Sequence, residues 1–286
     1  MESVASRLKT TDQPSSASYQ RKSQATLALM DLKDSLKKWP VWCMLAYQDI
    51  KLRYRRSVLG PFWITLSMAI TVYSMGYLYS HLFHSDLRAY FPFLAAGMLS
   101  WALISSVITE VTDAFTFSEA LIKQIKLPYC LYIHRIVARN ILIFLHNSLV
   151  MVPIFFIFHE TVHINLYILM LIPGLLVIYI NAFFYGIALA MIGARFRDVS
   201  QIIRSLIQVA FFVTPVMWDP SILSPSKRYI ADINPFYSFI ELIRAPITGA
   251  PPVLLHWVIA GAVTLIGMGI SFVIFKKYRA RIVYWL

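Results

Sequence analysis

Long apolar stretches, separated by short polar ones, occupy most of this 286-residue chain. A bilayer core about 30 Å thick requires about 20 apolar residues in a helix, and most of the stretches have this length. The pattern predicts six membrane-spanning helices, at 61–83, 91–111, 136–158, 166–192, 202–218 and 253–275. The fifth stretch is short and contains Thr214-Pro215, so we expect a kinked or incomplete helix there. The predicted fold class is therefore an all-α integral membrane protein.

The first 60 residues are too polar to span a bilayer, and they divide into two parts. Residues 1–30 are rich in Ser and Gln and lack the apolar core of a signal peptide, which predicts a disordered cytoplasmic tail. Residues 31–60 are predicted to form a cytoplasmic amphipathic interface helix and a turn, with Asp49 among the exposed charged residues of the helix. Its apolar residues share one helical arc, which comprises Cys43, Ala46, Tyr47, Ile50 and Tyr54. Residues 61–286 then form the six-helix transmembrane domain.

Proline and glycine mark the two ends of the predicted interface helix. Pro40 suits the first turn of a helix, where its missing N–H leaves no hydrogen bond unmade. Leu59-Gly60-Pro61 is expected to end the helix, because Gly permits a turn and Pro can restart a helix at the first span.

The basic residues are distributed unevenly along the chain, whose formal net charge is +12. If the N-terminus is cytoplasmic, the predicted cytoplasmic segments contain all but four of the 26 Lys and Arg residues: Arg88, Lys227, Arg228 and Arg244. This bias follows the positive-inside rule and predicts that both termini are cytoplasmic. Topology and contact with lipid headgroups explain the basic excess, so no nucleic-acid partner is predicted.

Motifs for catalysis or cofactor binding are absent from the sequence. It contains no GxxxxGK[ST] phosphate loop, no GxSxG elbow, and no Cys or His spacing typical of a metal site. Cys43 and Cys130 fall on the predicted cytoplasmic side, where thiols stay reduced. His146 and Asn147 lie midway along the third predicted span, where a proton relay and a hydrogen bond between helices are the alternatives. We therefore predict a chain that is not an enzyme and holds no cofactor or metal.

The polar segment between the second and third predicted spans has helical character of its own. Thr116 and Glu119 have the spacing of a capping box, Glu119 and Lys123 are spaced for an i,i+4 ion pair, and Pro128 is expected to end the helix. Together with Lys126, this segment is either a solvated loop helix or a docking element for a cytoplasmic subunit.

A long segment at 219–252 separates the last two predicted spans on the outer side. Its apolar stretch, 236–247, is too short to cross a bilayer and is bounded by prolines, which predicts re-entrant or interfacial helices. Such helices are expected to line or cap a pathway, and Glu241 and Arg244 are spaced to form an ion pair there. The candidate residues of this outer gate are Trp218, Phe236, Tyr237, Glu241 and Arg244.

The run DIKLRYRRSVLGPFW at 49–63 is similar to a characteristic motif of the membrane subunits of ATP-binding-cassette polysaccharide exporters. These permeases move O-antigen, capsular or teichoic-acid polymers. Three further segments are similar in type and order, and the resemblance covers about residues 35–286. They are LIKQIKLP at 121–128, RFRDV at 195–199, and TPVMW at 214–218 together with NPFY at 234–237.

The resemblance implies the permease subunit of an exporter in the bacterial inner membrane. The assembly would contain two copies of this six-helix chain, with a channel at their axis, and two copies of a cytoplasmic ABC ATPase that binds ATP and Mg. Its cargo would be an undecaprenyl-type lipid-linked polysaccharide, with O-antigen as the first choice. The Leu59-Gly60 turn would lie where the lipid pyrophosphate enters, and Arg53, Arg55 and Arg56 are candidates to bind it, since guanidinium groups bind phosphate bidentately.

Three other classes of protein stay open. A membrane-embedded transferase acting on lipid-linked sugars would need acid or base residues on the outer side. A gradient-driven transporter would more typically contain inverted repeats, and none is visible between the two halves of the chain. An exporter of drugs or lipids with the same fold is the third alternative. The outer-side candidates for a transferase are Asp86, Glu160, His163, Asp219, Asp232 and Glu241.

Overall fold

A computed structural model describes residues 23–83, 86–162 and 164–286 of the chain. These residues form helices joined by turns, with no strand among them, which confirms the predicted all-α class. Residues 1–22 of the predicted tail lie outside the described residues.

Two helices precede the first predicted span. They are α1 (Gln24–Lys37) and α2 (Trp39–Arg53). The predicted tail extended to residue 30, so its last residues belong to α1 instead. Ser23 caps α1 by accepting a hydrogen bond from the backbone N–H of Thr26 at 3.1 Å. The composition suggested disorder, but packing of one face of α1 against the rest of the fold orders this segment.

Asp31 fixes α1 to two other parts of the chain. Its buried carboxylate accepts hydrogen bonds from the backbone N–H groups of Tyr129 at 3.1 Å and Cys130 at 3.0 Å. These N–H groups belong to the first turn of a later helix and have no partner within that helix. The same carboxylate pairs with Arg279 at 2.7 Å. One side chain therefore joins three segments that are distant in sequence.

Long helices form the body of the molecule. They are α3 (Phe62–Leu82), α4 (Leu87–Thr112), α7 (Tyr129–Asn147), α8 (Met151–Ile157), α9 (Leu171–Arg195), α10 (Val199–Val213) and α13 (Leu254–Tyr278). A 3₁₀ turn, Ser148–Val150, makes α7 and α8 nearly continuous, and a second one, Leu166–Met170, leads into α9. The third predicted span began at residue 136, seven residues after the start of α7.

Four helical segments in the described ranges are long and apolar enough to cross a membrane. They are Leu87–Thr112, Tyr129–Ile157, Leu166–Arg195 and Leu254–Trp285. The protein is therefore a multi-pass membrane protein. The helix α3 matches the bounds of the first predicted span, but its Ser, Thr and Tyr residues make it less apolar. The helix α10 has 15 residues, about 22 Å at 1.5 Å per residue, which is less than the bilayer core. Six spans thus stay a prediction.

The helix α4 lies at the centre of the bundle and packs against α3, α7, α9, α10 and the shorter helix α12 (Pro235–Thr248). Close approach of α9 to α4 depends on Gly193, because a Cβ atom there would collide with the carbonyl oxygen of Thr112. Replacing Gly193 would therefore separate the two helices.

Short helices occupy the segments between the long ones. They are α5 (Ala114–Phe117), α6 (Glu119–Gln124), α11 (Tyr229–Asp232), α12 (Pro235–Thr248) and α14 (Ile282–Trp285). The predicted capping box at Thr116 is wrong: Thr116 lies inside α5, whereas an N-cap residue needs a non-helical backbone. The predicted ion pair between Glu119 and Lys123 is confirmed, at 2.5 Å.

Candidate functional site

The helix α2 lies along α7, and its two sides have different surroundings. Ala46 and Ile50, which belong to the predicted apolar arc, are buried, whereas Tyr47 from the same arc is exposed. Asp49 was expected among the exposed charges, but it faces α7. The arc is therefore divided between a packed side and an open side.

A buried ion network joins α2 to α7 and α4. Asp49 accepts two hydrogen bonds from Arg135, at 2.6 and 2.8 Å, and one from Arg139 at 3.0 Å. Arg139 also donates to Glu110 of α4 at 2.7 Å, and the amide of Asn140 donates to the same carboxylate at 2.6 Å. Hydrogen-bonded pairing of this kind is what allows charges to be buried. The network fixes α2 against the bundle.

One cation of this network is held loosely. The guanidinium of Arg53 lies 3.5 Å from Glu110 and is half-exposed. The network contains three arginines and two carboxylates, so it has one positive charge in excess. Arg53 therefore adds positive potential to the surface beside α2.

On the open side of α2, a cavity of about 840 Å³ lies between this helix, the turn after it and α7. Two cations and an imidazole stand among otherwise apolar and phenolic walls, so the cavity suits an amphiphile with an anionic head. Its lining residues are Tyr47, Gln48, Ile50, Lys51, Leu52, Tyr54, Arg55, Pro61, Leu142 and His146.

Two lining residues, Lys51 and His146, were not predicted for this site. Lys51 lies in the last turn of α2 and Arg55 in the turn that follows, and their spacing of four residues was visible in the sequence. His146 donates from Nδ1 to the carbonyl oxygen of Leu142 at 2.9 Å, and its own carbonyl accepts from Thr65 at 2.8 Å. The ring of His146 therefore bonds within α7, and the contact with α3 is made by its backbone carbonyl, so the predicted hydrogen bond from the side chain to a neighbouring helix is not confirmed.

The predicted trio of arginines does not form a single cluster. Arg53 faces Glu110, Arg55 lines the cavity, and Arg56 stands in the turn with a left-handed backbone (φ 71°). Gly60 has φ 54°, so the predicted turn is made where glycine permits it, and α3 begins two residues later. Leu59 is exposed at this turn. The cavity therefore selects Arg55 among the three.

The predicted docking segment presents two large apolar side chains, Phe117 and Ile125, the second of which is 49% exposed. Phe117, at the end of α5, is 69% exposed, while its neighbour Phe115 is buried against the bundle. Lys123 contacts Glu119 and donates to the backbone carbonyl of Leu286 at 3.1 Å, and Lys126 is exposed. The segment thus offers an aromatic ring beside basic side chains.

At the opposite end of the bundle, Arg244 is packed inside the fold. It is 1% exposed, pairs with Glu241, donates to the carbonyl of Pro215 at 3.1 Å and lies 4.0 Å from the ring centroid of Phe93. The predicted Glu241–Arg244 ion pair is confirmed. Tyr237 is buried beside Arg244 and completes its surroundings.

The segments 214–218 and 234–237 form one folded unit. Asn234 caps α12 through the N–H groups of Phe236 and Tyr237, and its amide donates to the hydroxyl of Thr214 at 3.0 Å. Phe236 packs edge-on against Trp101 of α4, and the indole of Trp218 donates to the carbonyl of Phe212 at 3.4 Å. These contacts hold the end of α10 against α12.

A second groove, of about 520 Å³, runs between α4 and α10. Hydroxyl groups from α4 face an amide and aromatic rings from α10, and at one end Arg204 pairs with Asp113 at 2.9 Å. Hydroxyls and aromatic faces together suit sugar rings, which present both hydroxyls and C–H surfaces. The groove is lined by Trp101, Ser105, Ser106, Thr109, Arg204, Ile207, Gln208, Phe211 and Phe212.

The helical bundle, the interface helix and the two surface cavities define a membrane protein of the transporter class. A match to the model of the ABC-2 type transporter family over residues 40–248 agrees with this class. The chain belongs to the ABC-2 type transporter family, which confirms the family resemblance carried by its motifs.

Curated relatives of this chain are named O-antigen export system permease protein RfbA. The relative from Myxococcus xanthus is 23% identical over 205 residues, which cover 70% of this chain and 77% of the relative. A relative from Klebsiella pneumoniae is 21% identical over 246 residues, which cover 83% of this chain and 92% of the relative.

Proposed function

We propose that this chain is the permease subunit of an ABC exporter that moves a lipid-linked polysaccharide of O-antigen type across the bacterial inner membrane. The observation that carries the proposal is the cavity beside α2, where Lys51 and Arg55 stand in amphipathic walls. A lipid pyrophosphate combines an anionic head with an apolar chain, and the cavity offers partners to both. The names of the relatives support an O-antigen cargo, with capsular or teichoic-acid polymers as alternatives.

The proposed assembly is a homodimer of six-span subunits with both termini in the cytoplasm. The helix α10 contains no buried residue, and apolar side chains lie exposed along it. A second copy would cover α10 and close the groove between α4 and α10 into a passage for the polymer. The exposed apolar residues are Ile202, Leu206, Val209, Phe212 and Val213.

In the proposed cycle this chain performs no chemistry. The lipid pyrophosphate binds at Lys51 and Arg55, and the sugar chain follows the groove past Trp101 and Phe211. A separate cytoplasmic ATPase binds ATP and Mg and docks at the segment that contains Phe117, Glu119, Lys123 and Lys126. Its hydrolysis cycle drives movement of α2 and opening of the passage.

The outer carboxylates favour a permease over a transferase, because several of them form ion pairs or cap helices. Glu160 pairs with Arg88 at 2.7 Å, and Glu241 pairs with the buried Arg244. Asp86 caps α4, and Asp219 caps the 3₁₀ turn Pro220–Ile222. His163 lies outside the described residues.

The test is to purify the chain with the ATPase encoded beside it, in nanodiscs, and to measure ATP hydrolysis against undecaprenyl-pyrophosphate-linked oligosaccharide. We expect a stable complex whose hydrolysis rises with the lipid. In the double variant K51Q/R55Q, the concentration for half-maximal stimulation should rise about tenfold or more, because one hydrogen bond to a charged group is worth about 1.5 kcal/mol or more.

Arg56→Gln is the matched control, since Arg56 is also a basic residue of this segment but does not line the cavity. It should shift the half-maximal concentration much less than the double variant. Equal shifts in both would mean that general surface charge, and not the cavity, attracts the lipid. Absence of a complex with the ATPase would contradict the proposed function itself.

A further inference from the structure

We propose that Arg135 is a positioning residue that links the docking segment at α5 to the interface helix α2, and thereby couples the ATPase to the lipid cavity. This inference rests on the proposed function and adds a path through which its two sites communicate. Three contacts of Arg135 support the inference. One is with the ring of Phe117 in α5, and two are hydrogen bonds to Asp49 of α2.

Arg135 contacts both segments directly. Its guanidinium donates two hydrogen bonds to the carboxylate of Asp49, at 2.6 and 2.8 Å, in a bidentate arrangement. The same guanidinium lies over the ring of Phe117, with its central carbon 5.9 Å from the ring centroid. A planar cation that is hydrogen-bonded at one edge and lies within about 6 Å of an aromatic ring can respond to movement on either side.

Phe117 is exposed at a position where a docking partner can contact it. The helix α5 is anchored by Phe115, which is 1% exposed, and it turns Phe117 outward on the basic surface near Lys123. Exposed aromatic rings beside basic groups are typical anchors of a protein interface. We assign the partner as the ATPase, whose surface would need an apolar pocket with acidic groups at its rim.

Asp49 transmits the position of Arg135 to α2. The carboxylate is held by Arg135 and Arg139, so the direction of its two strongest hydrogen bonds helps to set the rotation of the helix about its axis. Lys51, near the end of α2, and Arg55, in the turn that follows, stand in the wall of the cavity. When docking of the ATPase moves the ring of Phe117, Arg135 and Asp49 move with it. The cations Lys51 and Arg55 then shift in the wall of the cavity that binds the lipid.

Arg139 serves a different purpose in the same network. It bonds Asp49 and Glu110, which ties α2 to α4, and its contacts do not extend to α5. The fixed side of the network is thus Arg139, and the side that contacts the docking segment is Arg135. Coupling between the two sites is reciprocal, so lipid in the cavity should also change how the ATPase is held.

A double-mutant cycle tests the path with Phe117→Leu, Arg135→Lys and the two together. The full complex in nanodiscs is assayed for the stimulation of ATP hydrolysis by undecaprenyl pyrophosphate. We expect each single variant to reduce the stimulation about 2- to 30-fold. The double variant should lose no more than the larger single loss, because both changes interrupt one path. If the loss of stimulation in the double variant equals the product of the two single losses, Phe117 and Arg135 act independently and the proposal is wrong.

Further measurements separate coupling from simple loss of structure. Arg135→Lys keeps the charge beside Asp49 but loses the bidentate geometry, so its melting temperature should fall modestly. Phe117→Leu changes an exposed ring, so its melting temperature should stay near that of the unaltered chain while its stimulation falls. Losses of stimulation that follow the melting temperature across both variants would identify Arg135 as structural only. Arg88→Lys, at the separate ion pair with Glu160, lines neither cavity, so it is the control and should keep its stimulation.

The identity of the partner is tested by Phe117→Ala. We expect weaker binding of the ATPase to the permease in this variant, because the anchor ring is gone. Unaltered ATPase affinity would place the ring in the membrane surface and overturn the coupling role. If the unaltered permease binds no ATPase at all, the proposed function fails as well. If the lipid stimulates the unaltered complex but the losses of the two single variants multiply in the double variant, only the role of Arg135 is contradicted.

Discussion

Asp49→Asn is expected to lower the free energy of unfolding by about 3 kcal/mol, because it leaves buried arginines without their counter-charge. The side chains of Asp49, Arg135 and Arg139 are 11%, 13% and 7% exposed, so water cannot replace the lost carboxylate. Asparagine keeps the shape of the side chain but retains only one acceptor oxygen. The substitution therefore removes charge and hydrogen bonds while it changes packing little.

Equilibrium unfolding in mixed detergent micelles measures this loss. The control is Asp113→Asn, since the ion pair of Asp113 with Arg204 is solvated, with side chains 37% and 57% exposed. Surface pairs of this kind contribute about 0–1 kcal/mol, so the control should change stability little. If the two variants are destabilised equally, the network around Asp49 does not stabilise the fold as its burial indicates.

Asp31→Ala is expected to destabilise the protein by at least about 3 kcal/mol, for two physical reasons. It removes the acceptor of two N–H groups at the start of α7, and it leaves the mostly buried Arg279 unpaired. Alanine fits a helix, so α1 keeps its helical propensity and the loss reports on the contacts of the carboxylate.

The matched control is Asp34→Ala in the same helix, because Asp34 is a partly exposed aspartate of α1. Thermal unfolding followed by size-exclusion chromatography compares the two variants. We expect a large fall in melting temperature for Asp31→Ala and a small one for Asp34→Ala. Equal melting temperatures would show that the hydrogen bonds and the ion pair of Asp31 do not stabilise the packing of α1.

Much of the fold was predictable because it depends on local pattern. Apolar length located α4, α9 and α13, and the Gly60 turn followed from the backbone freedom of glycine. The ion pairs Glu119–Lys123 and Glu241–Arg244 were predictable because they join neighbours on one helix face. Each of these features is decided within a few residues of sequence.

The features that the sequence did not reveal depend on contacts between distant segments. Asp49 and Arg135 are 86 positions apart, so the pattern of α2 alone placed Asp49 on the surface. The start of α7 was missed because polar and basic residues precede its apolar part, and the fold buries several of them. Arg53 and Arg55 are close in sequence, but Arg53 ends α2 beside Glu110, whereas Arg55 stands in the turn that follows and lines the cavity.

The ion pair between Asp31 and Arg279 also has a consequence for the synthesis of the protein. Arg279 follows Asp31 by 248 positions, so the ion pair can form only after all the residues between them have been synthesised. At about 5–20 residues per second, α1 waits about 10–50 s for its last partner. Until then the N–H groups of Tyr129 and Cys130 are the partners that the fold gives this carboxylate. The pair closes only when the end of α13 has reached α1, so in chains that stall before residue 279 the carboxylate joins α1 to α7 only.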